Sequence, residues 1–406
     1  MKKILFTSPV MEYPAAGGPQ LRIENTVRAL CRLAEVHIVS RSNPFDMGGE
    51  PAEAFYRNLA AHLEVAPSVQ RSLFARVRAK IDALYATNWG LKADCRRLQH
   101  YIKTHNINIL WCGYGNISYP LIAEMRRRIP HLKIVCDTDS VWSRFILREL
   151  GVEQNAARRS AIKAQGEAKE QEEKKLVATS DVTTAVSEED ACYYRAIAHD
   201  AGRVHICSNV INLDSYTTRH KAPPDFHTPA LFLGGSYYSP YSPMVRAAQW
   251  VVHEVMPMVW EKCPQAHLYL VGRDGEKFCG DLLGSRVSIT GKVPTVLPYL
   301  QNAACSLVPL QFESGTRFKI LESGACGIPV VSTTLGAEGI PVSHGRNILL
   351  ADTPDAFAQA LLSILTDPAL GHSLATECRA LIEQNYSIPA LEKEVANILS
   401  YMENKK

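Results

Sequence analysis

The sequence lacks any long apolar run. No stretch approaches the roughly 20 residues that span a bilayer, which excludes a helical membrane segment from the reading. The N-terminus, MKKILFTSPVM, has an apolar core of only about five residues before Ser8 and Pro9. A secretion signal needs roughly 7–15, so the segment reads as a first β-strand. The sequence also lacks a strong excess of either charge. Its 44 Lys+Arg against 41 Asp+Glu leave +3, too near balance for a bulk nucleic-acid binder. It lacks a C-x-x-C pair, and its eleven cysteines are odd in number. Most sit in apolar runs, such as Cys112 in NILWC and Cys136 in KIVCD. That pattern reads as buried thiols in a reducing compartment rather than disulfides or a zinc site, and points to the cytoplasm. G-x-G-x-x-G is absent, so a dinucleotide site has little support. No histidine stands out as a base, since His105, His131 and His205 read as edge or loop residues.

What is present is ordinary globular composition, 46% hydrophobic and 21% charged over 406 residues. At roughly 150 residues per domain this allows two or three domains. Short apolar runs alternate with amphipathic stretches. Strands are expected at 3–7, 36–40, 107–112, 133–137, 182–187 and 204–207, then at 230–234, 267–271, 286–290, 304–308, 329–332 and 347–350. Between them lie helical patterns. Ile23, Val27, Leu30 and Ala34 share one face, as do Leu391, Val395, Ile398 and Met402 in a final helix opened by Pro389. Strands alternating with helices imply βαβ units and parallel sheets, hence an α/β fold. The proline-rich stretch 212–229 is the natural linker between two such domains. Two doubly wound domains place ligands at the carboxyl ends of their strands, so the expected active site is a cleft between them.

Four features carry candidate chemistry. The loop after strand one, SPVMEYPAAGGPQLR, puts Gly17 and Gly18 before an amphipathic helix starting near Pro19 or Gln20. A glycine pair and a helix N-terminus suit an anionic ligand, the alternative being a plain βα turn. The strongest feature is VPLQFESGTRFKILESGACGIPVVST. A strand ends at Pro309, and a helix is expected from Thr316 to Cys326, with Phe318, Leu321 and Ala325 on the sheet-facing side. Ser314, Gly315 and Thr316 open that helix, where free amides and the dipole favour phosphate. Arg317 and Lys319 add cationic charge. Glu322 lies six residues beyond Thr316, roughly 9 Å along the axis. That is about the reach from a pyrophosphate to a ribose, whose diol a carboxylate can accept. The alternative is a capped surface helix with solvated charges.

The third feature is CDTDSVW, with Asp137 and Asp139 at a strand end. Metal ligation and acceptor contact are both open to such a pair. The phosphate loop places the nucleotide elsewhere, and the strand-end position puts both aspartates at the carboxyl edge, where ligands bind. The fourth is a basic stretch, 71–105, with eight Lys/Arg against two Asp, a net of +6. Leu73, Phe74, Ile81, Leu84, Tyr85 and Trp89 are interleaved with these charges, and Arg126, Arg127 and Arg128 extend them. The stretch suits peripheral contact with an anionic membrane face and a lipid-linked acceptor, or else a solvated helix over an ordinary core. The Glu/Lys/Ala-rich segment 156–176 reads as a solvated helix.

With these residues in view, the second half resembles the nucleotide-sugar domain of GT-B glycosyltransferases of family 4, also called group 1. The matching pieces are ALFLGGSYYSPYSPMVRAAQWVVHEVMPMV, AHLYLVGRDG, the segment from VSITGKVP to TTLGAEGI, and GRNILLADTPDAFAQALLSIL. The first half is similar to the acceptor domain, with its early Gly-Gly loop and DVTTAVSEED. The resemblance implies two Rossmann-like domains facing each other across a cleft. Residues 1–212 would bind acceptor, 213–388 would bind donor, and 389–406 would cross back to the first domain. It implies transfer of a sugar from a nucleotide-sugar donor with retention and without an essential metal or other cofactor, in polysaccharide or glycoconjugate synthesis. Carried over residue by residue, Gly234, Gly235 and Ser236 would face the phosphates. Gly272, Arg273, Lys292 and Val293 would lie near the base. Ser314, Gly315, Thr316 and Arg317 would hold the pyrophosphate, with Glu322 on the ribose. Gly17 and Gly18 would approach the donor from the first domain. The family's first glutamate falls on Ser314 here, with Glu313 one residue away, so the catalytic candidates are Glu313, Ser314, Asp137 and Asp139. The phosphate-clamping Arg and Lys that many members carry after LFLGG are absent, Arg246 coming too late, and Arg317 and Lys319 are expected to take over that charge. A nucleotide-sugar epimerase and a non-catalytic nucleotide-sugar binder on the same fold remain the alternatives.

Overall fold

A computed structural model describes residues 2–15, 17–42, 44–65, 89–315 and 317–404. The chain divides into two compact units. The first comprises Met1–Ser143, Gln165–Val210 and Ile388–Lys406, and the second Arg144–Ala164 and Ile211–Ser387.

The first unit is built on seven parallel strands. They are β1 (Lys3–Thr7), β2 (Glu35–Val39), β3 (His62–Glu64), β4 (Ile109–Gly113), β5 (Lys133–Asp137), β6 (Val182–Ala185) and β7 (Val204–Ile206). Their order is β3-β2-β1-β4-β5-β6-β7. The helix Gly18–Leu33 covers one face, with Ile23, Val27, Leu30 and Ala34 buried as their spacing requires. Against it packs the final helix, Ile388–Asn404, through Leu391, Val395, Ile398 and Met402. Arg32 pairs with Glu392 at 2.8 Å, and Ser208 donates from backbone and hydroxyl to Glu394. The periodic apolar stripe thus docks this C-terminal helix on the first sheet.

The second unit holds six parallel strands. They are β8 (Ala230–Gly234), β9 (His267–Val271), β10 (Val287–Ile289), β11 (Cys305–Val308), β12 (Val330–Ser332) and β13 (Leu349–Leu350). Their order is β10-β9-β8-β11-β12-β13. In both sheets the order reverses beside the unit's first strand, between β1 and β4 and between β8 and β11. Such a switch point is where a doubly wound sheet opens a crevice at its carboxyl edge.

All twelve expected strands are present. The additional one, β3, is a three-residue edge strand, too short to show alternation in sequence. One further expectation is corrected. The segment 156–176 belongs to a helix, Ala156–Thr179, that is not merely solvated. Ile162, Leu176 and Val177 are buried, and so is Glu173, which accepts from Ser143 and from the Tyr193 hydroxyl at 2.7 Å. In the basic stretch, residues 71–88 lie outside the described residues. Over the helix Trp89–His105, Leu91, Cys95, Leu98, Tyr101 and Ile102 are core. Arg126 pairs with Asp181, while Arg127 and Arg128 pair with Glu124. Arg126 and Arg128 are partly buried in these pairs, whereas Arg127 stays largely exposed. All eleven cysteines are free, nine of them buried. Among the described residues no helix is long and apolar enough to cross a membrane.

Candidate functional site

The carboxyl edge of the second sheet is built by glycine. β8 ends at Gly234, and the Gly235 amide donates to Val271 O at 2.9 Å. Gly272 has φ +143°, and a Cβ there would lie 1.7 Å from Gly235 O. Only glycine lets the two backbones touch. The Gly272 amide continues to Gly291 O at 3.1 Å, and the Tyr237 amide to Arg273 O at 2.9 Å. The loops carrying Gly234–Ser236, Gly272–Arg273 and Lys292–Val293 are therefore knit together by main-chain bonds.

Across the switch point lies the loop after β11. Phe312 anchors it in the core at 1% exposure. Ser314 is buried, and its hydroxyl has no hydrogen-bond partner among the described residues. Gly315 takes φ +83°, a left-handed conformation suited to glycine. Thr316 lies outside the described residues. The helix begins at Phe318, later than expected, because Arg317 is its extended N-cap, and it runs to Ala325. Arg317 is buried and donates to Gly315 O. Ile320, Leu321 and Ala325 seat the helix on the core, and the Ser323 hydroxyl donates to Ser306 Oγ at 2.8 Å. Its free N-terminal amides and positive dipole end thus sit at the crevice beside a buried guanidinium, an arrangement that favours an anion.

Two groups on this helix have shifted protonation. Burial lowers the Lys319 ammonium, which Glu313 and Glu322 counter and Arg317 reinforces. Burial raises the Glu322 carboxyl above its ordinary value, while the Tyr216 hydroxyl, donating to it at 3.0 Å, and Lys319 favour its ionised form. Tyr216 comes from the expected linker, whose polar sequence concealed it. Sequence reasoning also missed Tyr238, an exposed aromatic in the loop after β8. Burial and the Glu313 and Glu149 carboxylates push its phenol to about 12. Arg246 pairs with Glu153 at 3.1 Å and is committed there.

In the first unit Gly17 is the extended N-cap of Gly18–Leu33, with φ −178°, so its backbone does not demand glycine. At the end of β5 the two aspartates have opposite fates. Asp137 is fully buried. It accepts from Arg22, from Trp111 Nε1 at 3.1 Å and from Thr184 Oγ1 at 2.8 Å. Burial opposes charge on Arg22, yet Asp137 outweighs it and holds the guanidinium well above its ordinary value. The expectation that Asp137 faces a ligand is therefore corrected, since all its capacity goes to the core. Asp139 is half-buried. It accepts from Asn116 and, at 3.3 Å, from Trp142 Nε1, and burial raises its carboxyl. Tyr114 and Trp142 meet edge to face at 6.2 Å beside it. Among the described residues no group of three His, Cys, Asp or Glu is placed to hold a metal ion.

Two doubly wound sheets of seven and six parallel strands match the GT-B fold. Residues 231–367 match the family model described as glycosyl transferases group 1. A Klebsiella pneumoniae protein described as an uncharacterized 44.6 kDa protein in a cps region is 22% identical over 171 residues. The match spans 40% of this chain and 44% of that protein, less than half of its length. Among solved structures, HepE of Anabaena, in complex with UDP and glucose, superposes with a TM-score of 0.66 at 14% identity, covering 98% of this chain and 100% of that one. The sucrose-phosphate synthase of Thermosynechococcus elongatus does so at 0.73 and 17%, covering 100% of both. At these identities the likeness is one of fold.

Proposed function

We propose that the chain is a retaining family 4 glycosyltransferase that moves a sugar from a nucleotide-sugar donor to a glycan, lipid-linked or other glycoconjugate acceptor. The observation that carries this is the loop Glu313–Gly315 opening the helix Phe318–Ala325, with buried Arg317 at its N-cap and Glu322 further along. The helix N-terminus and Arg317 would take the diphosphate, and Lys319 would add charge. Glu322, with Tyr216 behind it, would accept the ribose hydroxyls. The knit glycine loops, through Lys292 and Val293, would receive the base.

Chemistry in such a site needs no protein nucleophile. The acceptor hydroxyl attacks on the face the diphosphate leaves, and its proton passes to a departing phosphate oxygen. The fixed cations and helix dipole stabilise the charge that develops there, which is where most of the rate would originate. Since the protein supplies those cations, transfer is expected to persist in EDTA. Glu313 or Ser314 would meet the donor sugar. In the first unit Asp139, flanked by Tyr114 and Trp142, is the better acceptor contact of the two aspartates, because its partners leave it half-exposed.

The test is calorimetry with UDP, GDP, ADP and dTDP and their sugars, followed by product analysis with glycan acceptors. UDP-sugars come first, since HepE was solved with UDP-glucose. Binding followed by transfer with retained anomeric configuration is expected. An epimer formed from donor alone, or binding without turnover under any acceptor, would overturn the proposal in favour of an epimerase or a non-catalytic binder.

A further inference from the structure

Residues 144–164 lie in sequence between β5 and β6, yet they belong to the second unit. Four attachments hold the segment to residues that follow strands of the second sheet. Phe145 stacks on Phe312 with ring centroids 6.4 Å apart. Glu153, 6% exposed, holds Arg246, and Arg158 lies over the Tyr241 ring at 3.6 Å. The fourth attachment is Arg148. Its Nη1 donates to Glu313 O at 2.7 Å and to Glu338 Oε2 at 2.6 Å, while Nη2 donates to Glu338 Oε1 at 2.7 Å.

We propose that Arg148 is a positioning residue for the nucleotide diphosphate, fixing the Glu313–Gly315 loop and neutralising Glu338 beside it. The inference rests on the donor reading above. A guanidinium suits this role because its planar fork binds a carboxylate with two parallel bonds and still has a donor for a carbonyl. The Glu313 carbonyl is one residue from Ser314 and two from Gly315, whose left-handed backbone sets the turn into the helix. Tethering that carbonyl fixes where the Ser314 hydroxyl and the helix amides point. Glu338 also feels Arg317 and Arg144. With Arg148 removed, the Glu338 carboxylate turns toward Arg317 and competes with a diphosphate for it. Arg148 therefore acts on the loop and on the local charge together, and it touches no ligand itself.

The double-mutant cycle Arg148→Ala, Glu338→Gln and the pair tests this, with UDP, GDP, ADP and dTDP as calorimetric probes and melting curves alongside. Arg148→Ala is expected to weaken the nucleotide that the wild type binds by at least tenfold. In transfer assays the donor KM should rise more than kcat falls. Glu338→Gln alone should have a small effect. Because it removes the competing carboxylate, it should recover at least half of the loss, on a logarithmic scale, in the pair. Arg148→Lys, which keeps charge but not the fork, should fall between, and it carries the test if the alanine variant does not fold. Wild-type affinity in Arg148→Ala or Arg148→Lys, or additive losses in the pair, would overturn this role while leaving the donor reading intact. A wild type that binds none of the four nucleotides would overturn both.

Discussion

The buried pair Arg22–Asp137 offers the sharpest check on the division of labour at the end of β5. Replacing Asp137 with Asn keeps the shape and removes the charge. Arg22 is 1% exposed, and its remaining partners are Asn209 Oδ1 at 3.0 Å, Cys207 O at 2.9 Å and a long contact to Thr184. It would stay protonated and buried with no counter-charge in contact. Breaking a buried pair from one side costs roughly 3–5 kcal/mol. Against a total of about 5–15 kcal/mol, that brings the first unit near its limit. For a unit of this size each kcal/mol moves the melting point by roughly 2–4 °C, so a drop of about 6–20 °C is expected by scanning calorimetry. The double replacement Arg22→Met with Asp137→Leu should lose less than the sum of the singles, because no orphan charge remains. Nucleotide affinity, which the proposed function assigns to the second unit, should stay near wild type. The reasoning is refuted if Asp137→Asn melts like wild type yet loses transfer a hundredfold. That result would make Asp137 a reacting group after all.

Two further outcomes follow from the second unit. Glu322→Gln should weaken nucleotide binding by roughly tenfold or more, since a hydrogen bond to a charged group contributes about 1.5–3 kcal/mol. Burial raises the Glu322 carboxyl, so folding favours its protonated form. The stability of the ligand-free unit should decline as pH rises from the ordinary carboxylate range through the raised value, while nucleotide affinity should improve over the same window. Urea titrations and calorimetry between pH 4 and 7 should show both slopes flattened in the Gln variant. Gly272→Ala would press a methyl into Gly235 O, in a backbone conformation with φ +143°. A loss on the order of 1–3 kcal/mol and weaker nucleotide binding are expected, and a melting curve at the wild-type position would contradict them.

Much of this protein could be read locally. Strands of about five apolar residues and helices with four-residue spacing follow from the pleat and the α-helical repeat, which leave their period in any sequence. The glycines before and within the second-unit loops, and the Ser314–Glu322 spacing, are local in the same sense, so that helix and its candidate roles were visible in advance. The helix start moved from Thr316 to Phe318 because capping depends on one extended residue, Arg317, that propensity does not mark.

The sequence by itself therefore determined two doubly wound sheets and the candidate anion site at the switch point of the second. Only the tertiary structure decided what each charged residue does there. CDTDSVW presents two similar aspartates, but the partner that consumes Asp137 is Arg22, 115 residues away. Arg148 meets Glu338 across 190 positions, and Tyr216 meets Glu322 across 106. Periodicity records which side of an element faces the core. It cannot record which distant side chain waits in that core, and for a charge the identity of that neighbour separates a buried strut from a site open to ligand.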